Sequence, residues 1–190
     1  MVKNKFEIMK MQNENLELFK NTFLYSEKGC SLEGKRILDI GCGNTESGSG
    51  DGWAPENARR LVSLGANVIG IDIGGCWSEA YTHIKANLVN RSLKEIVPEE
   101  FKPDIVLAIA FFDSPTLIYN MRTDSKQFPE RVCREIFNIL DDSGVFFIDS
   151  FGLCSFRGIN DGRSFLEDVG FRFIEDFNSV EAYGKRFRDE

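Results

Sequence analysis

Short apolar segments alternate with amphipathic ones along the chain, and this pattern predicts its secondary structure. In the first thirty residues the apolar positions recur at three- and four-residue spacings, which is typical of a helix with one apolar face. These positions are Leu16, Phe19, Phe23 and Leu24. We therefore expect residues 1–30 to form an N-terminal helical segment of one or two helices.

Two apolar runs that end in glycines are predicted to be buried parallel strands. They cover residues 36–40 and 68–72, and each is followed directly by a glycine turn. A helix is expected between them over residues 55–65, because Pro55 suits the first turn of a helix and Gly65 suits its end.

The rest of the chain continues in the same alternating order. The predicted elements are a helix at about 78–85, a short third strand within 86–93, a helix or turn at 93–97, a fourth strand within 102–112, a helix at 129–140, a fifth strand within 145–151, a helix at 163–169, and two closing strands at 171–177 and 181–187.

Strands that alternate with helices predict βαβ units, and therefore an α/β fold. We expect residues 31–190 to form one domain around a doubly wound, mostly parallel sheet with helices on both faces. Ligands of such sheets bind outside the carboxyl ends of the strands, where the strand order reverses. The residues after strands one, two and four should therefore line one cleft.

Composition and charge narrow the possible partners. A chain of 190 residues with 42% hydrophobic and 28% charged residues is typical of one soluble globular domain. Its net charge of -7 opposes binding to phosphate backbones, and Lys and Arg form no long run. We expect a small-molecule partner rather than nucleic acid, and the oligomeric state stays open.

The cysteines are typical of a protein in a reducing compartment, and the single histidine argues against a histidine-based metal site. The five cysteines include no C-x-x-C pair, and the N-terminus has no apolar leader segment. No apolar run is long enough to cross a membrane. We expect a cytoplasmic protein with free thiols. His83 is the single histidine, so no histidine-based metal site is expected.

The chemistry-bearing residues follow the first two predicted strands. Asp39 precedes a turn in which Gly41 and Gly43 permit a sharp bend and a close approach of a ligand to the backbone. Asp72 ends the next strand, where a carboxylate can accept hydrogen bonds from both hydroxyls of a ribose. A dinucleotide site would have a third glycine at position 46, where this chain has Glu46, and an acid there disfavours a pyrophosphate.

The runs ILDIGCG, VIGIDIG, ANL and DIVLA resemble, in order and spacing, the class I S-adenosylmethionine-dependent methyltransferase family. The resemblance covers about residues 35–185, and it implies a seven-stranded sheet with one antiparallel edge strand. It also implies S-adenosylmethionine as the cofactor and a set of residues that bind it. That set is Asp39, Gly41, Cys42 and Gly43 at the methionine part, Asp72 at the ribose, Ile73, Asn87 and Leu88 at the adenine, and Ala108 to Ala110 at the methyl-transfer site.

Two departures from the family pattern bear on function. The loop from Thr45 to Trp53 is enlarged and rich in glycine. It could act as a mobile lid over the cofactor, or Trp53 could fix it to the rest of the protein. After strand four, Asp113 is followed by Ser114 and Pro115. This run partly resembles the Asn- or Asp-Pro-Pro-aromatic motif of certain base-modifying methyltransferases, since it has the acid and one proline. Asp113 is the candidate catalytic residue, as a base or as a group that orients the acceptor; capping of a turn is the structural alternative.

The sequence therefore predicts a methyltransferase that acts on an unidentified acceptor. Aromatic side chains are candidate walls of the acceptor site, although core packing would explain them equally well: Phe111, Phe112 and Tyr119, with Phe19, Phe23 and Tyr25. Three alternatives stay open on the same fold. They are a non-catalytic protein that binds the cofactor or its demethylated product, an NAD-dependent dehydrogenase, and an aminopropyl transferase.

Overall fold

A computed structural model describes residues 4–21, 31–46, 53–114, 117, 126–177 and 180–186. Seven strands form one sheet in the order β3-β2-β1-β4-β5-β7-β6. Their bounds are β1 Arg36–Ile40, β2 Asn67–Asp72, β3 Thr82–Lys85, β4 Ile105–Ala108, β5 Val145–Ile148, β6 Phe171–Phe177 and β7 Val180–Lys185. The order reverses at β1, since β2 and β4 lie on either side of it.

The sheet is mixed rather than purely parallel. Strands β1 to β5 pair in parallel, whereas β7 runs antiparallel to both β5 and β6. The α/β fold and the seven strands are as predicted, but the antiparallel strand is not at the edge. It lies inside the sheet because β6 and β7 form a hairpin whose second strand pairs with β5.

Five α-helices and one 3-10 helix accompany the strands within the described residues. They are α1 Lys5–Phe19, α2 Glu56–Ser63, α3 Leu93–Ile96, α4 Gln127–Ile139, α5 Gly162–Val169 and the 3-10 helix Ser150–Ser155. Local sequence sets several of their ends. The Asn4 side chain accepts from the Glu7 N–H in a capping box. The Asp161 side chain caps α5 by accepting from the Arg163 and Ser164 N–H groups.

The prediction was wrong around the third strand. Residues 82–85 form β3 instead of the end of a helix, and residues 86–93, where a strand was predicted, form turns and the start of α3. β3 is an edge strand that pairs with β2 alone, and its side chains are only partly buried. It therefore lacks the continuous apolar run that marks a buried strand.

Hydrophobic residues fill both faces of the sheet. One cluster packs α3, α4 and α5 against it, and the other packs α1 and α2. Helix α1 is fixed by the contact between the Phe19 and Phe147 rings, whose centroids are 4.4 Å apart. It is also fixed by the hydrogen bond from Asn15 Nδ2 to the Ser143 carbonyl, 2.9 Å long. None of the helices within the described residues is both long and apolar enough to cross a bilayer.

Candidate functional site

The turn after β1 requires its glycines. Gly41 and Gly43 have φ angles of 73° and 93°, in the left-handed region that side chains disfavour. A Cβ atom on Gly43 would lie 2.3 Å from the carbonyl oxygen of Trp53. That carbonyl accepts a 2.7 Å hydrogen bond from the Asn44 N–H, so the chain leading into α2 lies directly on the turn.

Asp39 is a buried carboxylate, one oxygen of which has no partner among the residues that the structure describes. Its side chain belongs to β1, the residue is 4% exposed, and its Oδ2 atom has no hydrogen-bond partner among the described residues. Burial, and secondly the charge of Asp72, raise the pKa of Asp39 to about 7. Such a group calls for a cationic or hydrogen-bond-donating partner.

Asp72, at the end of β2, binds the glycine turn itself. Its carboxylate accepts hydrogen bonds from the Gly43 N–H at 3.1 Å, Asn44 Nδ2 at 2.8 Å and the Gly74 N–H at 3.0 Å. A carboxylate offers about four acceptor positions, so roughly one remains for a ligand hydroxyl while these bonds persist. Accepting both hydroxyls of a ribose would require a donor from the chain to withdraw.

The chain after the glycine turn is also tied to the loop after β2. The Thr45 N–H donates to the Gly75 carbonyl at 3.1 Å, and the Gly75 N–H donates to Glu46 Oε2 at 2.7 Å. Lys85 Nζ contacts the same carboxylate at 2.6 Å. Glu46 therefore cross-links the ends of β1, β2 and β3. Residues 47–52 of the enlarged loop lie outside the described residues, while Trp53 at its end is 75% exposed.

The residues predicted at the adenine lie after β2 and β3. Ile73 is half-buried and Leu88 is buried. Asn87 Oδ1 accepts a 2.9 Å hydrogen bond from the Val89 N–H, which uses one of its two lone pairs. The Arg131 guanidinium donates to the Leu88 carbonyl and holds this turn against α4.

The end of β4 contacts the glycine turn. Ala108 is buried, and Ala110 is exposed with a φ angle of 55°, a strained value for a residue with a side chain. Phe111 then lies over Gly41, whose Cβ would be 3.0 Å from Phe111 Cδ2. The structure thus brings together the turns after β1, β2 and β4, where the predicted site residues other than Asn87 and Leu88 lie.

Asp113 is exposed and lies near Asp149, which the sequence analysis missed together with Glu181. Its backbone packs against Gly152 of the 3-10 helix. Burial raises the pKa of Asp149, at the end of β5, and the charges of Asp113 and Glu181 add to that rise. Asp149 directly follows β5, and Asp39 and Asp72 lie near the carboxyl ends of β1 and β2, so its position was a readable signal. Glu181 could be placed only by the pairing of β7 with Ile148.

The candidate aromatic walls divide into three groups. Phe19 and Phe112 belong to the hydrophobic core rather than to a pocket. Phe111 lies partly exposed at the glycine turn. Tyr119, Phe23 and Tyr25 lie outside the described residues, as does Pro115.

Comparison with known proteins gives no match in sequence and clear matches in structure. No protein-family model and no curated protein sequence matches the chain. A TehB-like SAM-dependent methyltransferase from Corynebacterium glutamicum is 15% identical, with 93% of this chain and 99% of that chain covered and a TM-score of 0.53. The N-methyltransferase NodS from Bradyrhizobium japonicum is 12% identical, with 98% and 100% covered and a TM-score of 0.54.

A third similar structure is larger than this chain. It is the MycE methyltransferase from the mycinamycin biosynthetic pathway in complex with Mg and SAH, 11% identical, with a TM-score of 0.55. The match covers 96% of this chain and 54% of MycE. Identities this low establish the fold alone. The chain has the class I, Rossmann-like fold of the SAM-dependent methyltransferases.

Proposed function

We propose that this protein is an S-adenosylmethionine-dependent methyltransferase that acts on a small-molecule acceptor. The observation that carries the proposal is the buried Asp39 carboxylate, whose Oδ2 atom is unpartnered within the described residues. It lies at the strand-order reversal of a methyltransferase-like sheet, beneath a glycine turn. An ammonium group held there would restore a partner to the carboxylate and favour its ionised form.

The residues around the turn suit the cofactor's polar groups. Asp39 would hold the ammonium, and the backbone of Gly41, Cys42 and Gly43 would line the methionine part. Asp72 would accept a ribose hydroxyl at its remaining acceptor position. Glu46 argues against a pyrophosphate, because its carboxylate occupies the Gly75 N–H that such a ligand could use.

The other predicted contacts complete the cofactor site. Ile73, Asn87 and Leu88 would surround the adenine at the ends of β2 and β3. Ala108 and Ala110 would line the methyl-transfer site at the end of β4, where a small side chain leaves room for a ligand. These assignments rest on position in the fold and on the family resemblance.

The bound cofactor would supply the electrophilic methyl group, and the protein would mainly position the acceptor. Asp113 is exposed at the carboxyl end of β4 and could orient a hydroxyl or amine of the acceptor. Asp149 lies beside it with a raised pKa, so it can stay protonated at a higher pH than an ordinary aspartate.

A small acceptor fits the charge and the similar structures. The net charge of -7 opposes binding to the phosphate backbone of a nucleic acid. Among the similar structures, MycE is also found in complex with Mg, SAH and mycinamycin VI, a small molecule, with a TM-score of 0.54.

Two measurements test the proposal. Calorimetry should show that S-adenosylhomocysteine binds and that NAD binds more weakly or not at all; the reverse order would favour a dehydrogenase. Incubation with methyl-labelled cofactor and separated metabolite, protein and RNA fractions of a cell extract should label the metabolites, and Asp113→Asn should reduce that labelling. Binding without labelling of any fraction would indicate a non-catalytic cofactor-binding protein, and labelling of RNA alone would overturn the acceptor class.

A further inference from the structure

Two cysteine thiols share one carbonyl oxygen at the glycine turn. Cys42 Sγ lies 3.4 Å from the Gly43 carbonyl oxygen, and Cys76 Sγ lies 3.8 Å from the same atom. Cys42 belongs to the turn itself, whereas Cys76 follows β2. The fold therefore brings together two sulfur atoms from segments that are far apart in the sequence.

The two thiols differ in access to solvent. Cys42 is buried, and its sulfur packs over Gly70, where a Cβ would lie only 2.8 Å from it. Burial raises the pKa of Cys42, so this thiol is a poor first nucleophile. Cys76 is half-buried and can meet a small solute. An oxidant would therefore react first with Cys76.

A tyrosine and a histidine lie beside the Cys42 thiol. The Tyr81 hydroxyl faces the Cys42 thiol without completing a hydrogen bond to it, and it is buried without a partner among the described residues. His83 Nδ1 lies 3.7 Å from Cys42 Sγ, and the His83 and Tyr81 rings are in edge contact with centroids 6.1 Å apart. The imidazole can accept the Cys42 proton, and the hydroxyl can donate a hydrogen bond to a sulfur-bound oxygen or thiolate.

We infer that Cys42 and Cys76 form a redox modification site at which a hydroperoxide closes a disulfide and disables the cofactor turn. The Cys76 thiol loses its proton, and the resulting thiolate attacks an oxygen atom of hydrogen peroxide. The O–O bond breaks, giving a sulfenic acid and a hydroxide, which takes up that proton as a first water. The Cys42 sulfur then loses its proton and attacks the sulfenic sulfur. The departing hydroxide takes up that proton as a second water, so two thiols and one peroxide give one disulfide and two waters.

The disulfide would distort the turn that holds the cofactor. It removes both S–H donors from the Gly43 carbonyl and draws the Cys42 sulfur away from Gly70. Gly41 and Gly43, on either side of Cys42, hold left-handed backbone angles that this movement would change. This consequence rests on the proposed cofactor site, whereas formation of the disulfide does not.

The test treats the reduced protein with hydrogen peroxide and follows intact mass, peptide maps and S-adenosylhomocysteine affinity. We expect a loss of two hydrogens, a Cys42–Cys76 cross-linked peptide, and an affinity at least about tenfold weaker that a dithiol restores. Cys76→Ser should bind in the reduced state and lose the response, while Cys154→Ser, which removes an exposed thiol elsewhere, should keep it.

Two results would overturn the inference. One is an oxidised wild-type protein without the Cys42–Cys76 peptide. The other is a protein that forms this peptide and binds S-adenosylhomocysteine as tightly as before. A reduced protein that never binds the cofactor product would contradict the proposed function instead, and the peptide map would still decide whether the thiols pair.

Discussion

Replacement of Asp39 by Asn should stabilise the protein at neutral and higher pH while weakening cofactor binding. The substitution keeps the shape of the side chain and removes its charge. Asp39 is buried, its Oδ2 atom is unpartnered within the described residues, and its pKa is raised from 3.8 to about 7. The ionised carboxylate is therefore costly in the folded protein and costless in the unfolded chain.

The magnitude follows from proton linkage. Below pH 3.8, the pKa in the unfolded chain, Asp39 is protonated in both the folded and the unfolded state. As the pH rises from there through about 7, the pKa in the folded protein, the stability that this group contributes is lost. One pH unit corresponds to about 1.36 kcal/mol, so the full loss is about 4 kcal/mol. Between about pH 5 and about pH 8, the free energy of unfolding of Asp39→Asn should rise relative to wild type by about 3 kcal/mol.

Urea unfolding at a series of pH values measures this difference. Asp142→Asn is the control, because it makes the same chemical change at a side chain that is 70% exposed and pairs with Lys185 at the surface. Parallel curves for Asp39→Asn would refute the argument, since they would mean that Asp39 ionises as easily in the folded state as in water. In wild type, S-adenosylhomocysteine affinity should rise with pH as Asp39 ionises; Asp39→Asn should abolish this rise and bind about ten- to a hundredfold more weakly.

Three further substitutions probe the same turn. Asp72→Asn should weaken S-adenosylhomocysteine binding about tenfold or more in calorimetry, and should lower the pKa of Asp39 by removing a neighbouring charge; unchanged affinity would place the ribose elsewhere. Gly43→Ala should lower the urea midpoint and abolish S-adenosylhomocysteine binding, because its Cβ would lie 2.3 Å from the Trp53 carbonyl oxygen. Gly34→Ala is the control for backbone strain alone, because Gly34 also has a positive φ but no atom lies within 4 Å of its Cβ. Glu46→Gln should increase the association rate of S-adenosylhomocysteine in stopped-flow fluorescence by loosening the contact with Lys85, and a rate equal to wild type would show that this contact does not limit entry.

The strands and helices that pack around the centre of the sheet were predictable from local pattern. β1, β2, β4 and β5 are short and mostly apolar runs, since strands buried on both faces need apolar side chains at most positions. The edge strand β3 escaped prediction because its half-exposed residues carry no such run, and its conformation depends on pairing with β2.

The candidate site was also predictable only in part. The glycines and the acids near strand ends could be read from the sequence, because a sharp turn and a ligand contact each demand particular residue types at particular positions. The hydrogen bonds of those acids could not be read from it. Asp72 is bonded to the glycine turn, while Asp39 has an oxygen without a partner in the described part of the chain, and this difference depends on which side chains the turn brings within reach. Sequence spacing alone gives no such distances.

The sequence by itself determined that the chain builds an α/β sheet with a glycine turn and acids at its carboxyl edge. Local periodicity and the conformational demands of glycine act on neighbouring residues, so they are visible in one dimension. Only the tertiary structure decided that β7 enters between β5 and β6, that Glu46 reaches Lys85, and that Cys42 meets Cys76 at one carbonyl. Such contacts join segments distant in the chain, and packing and burial select them only once the whole sheet is assembled.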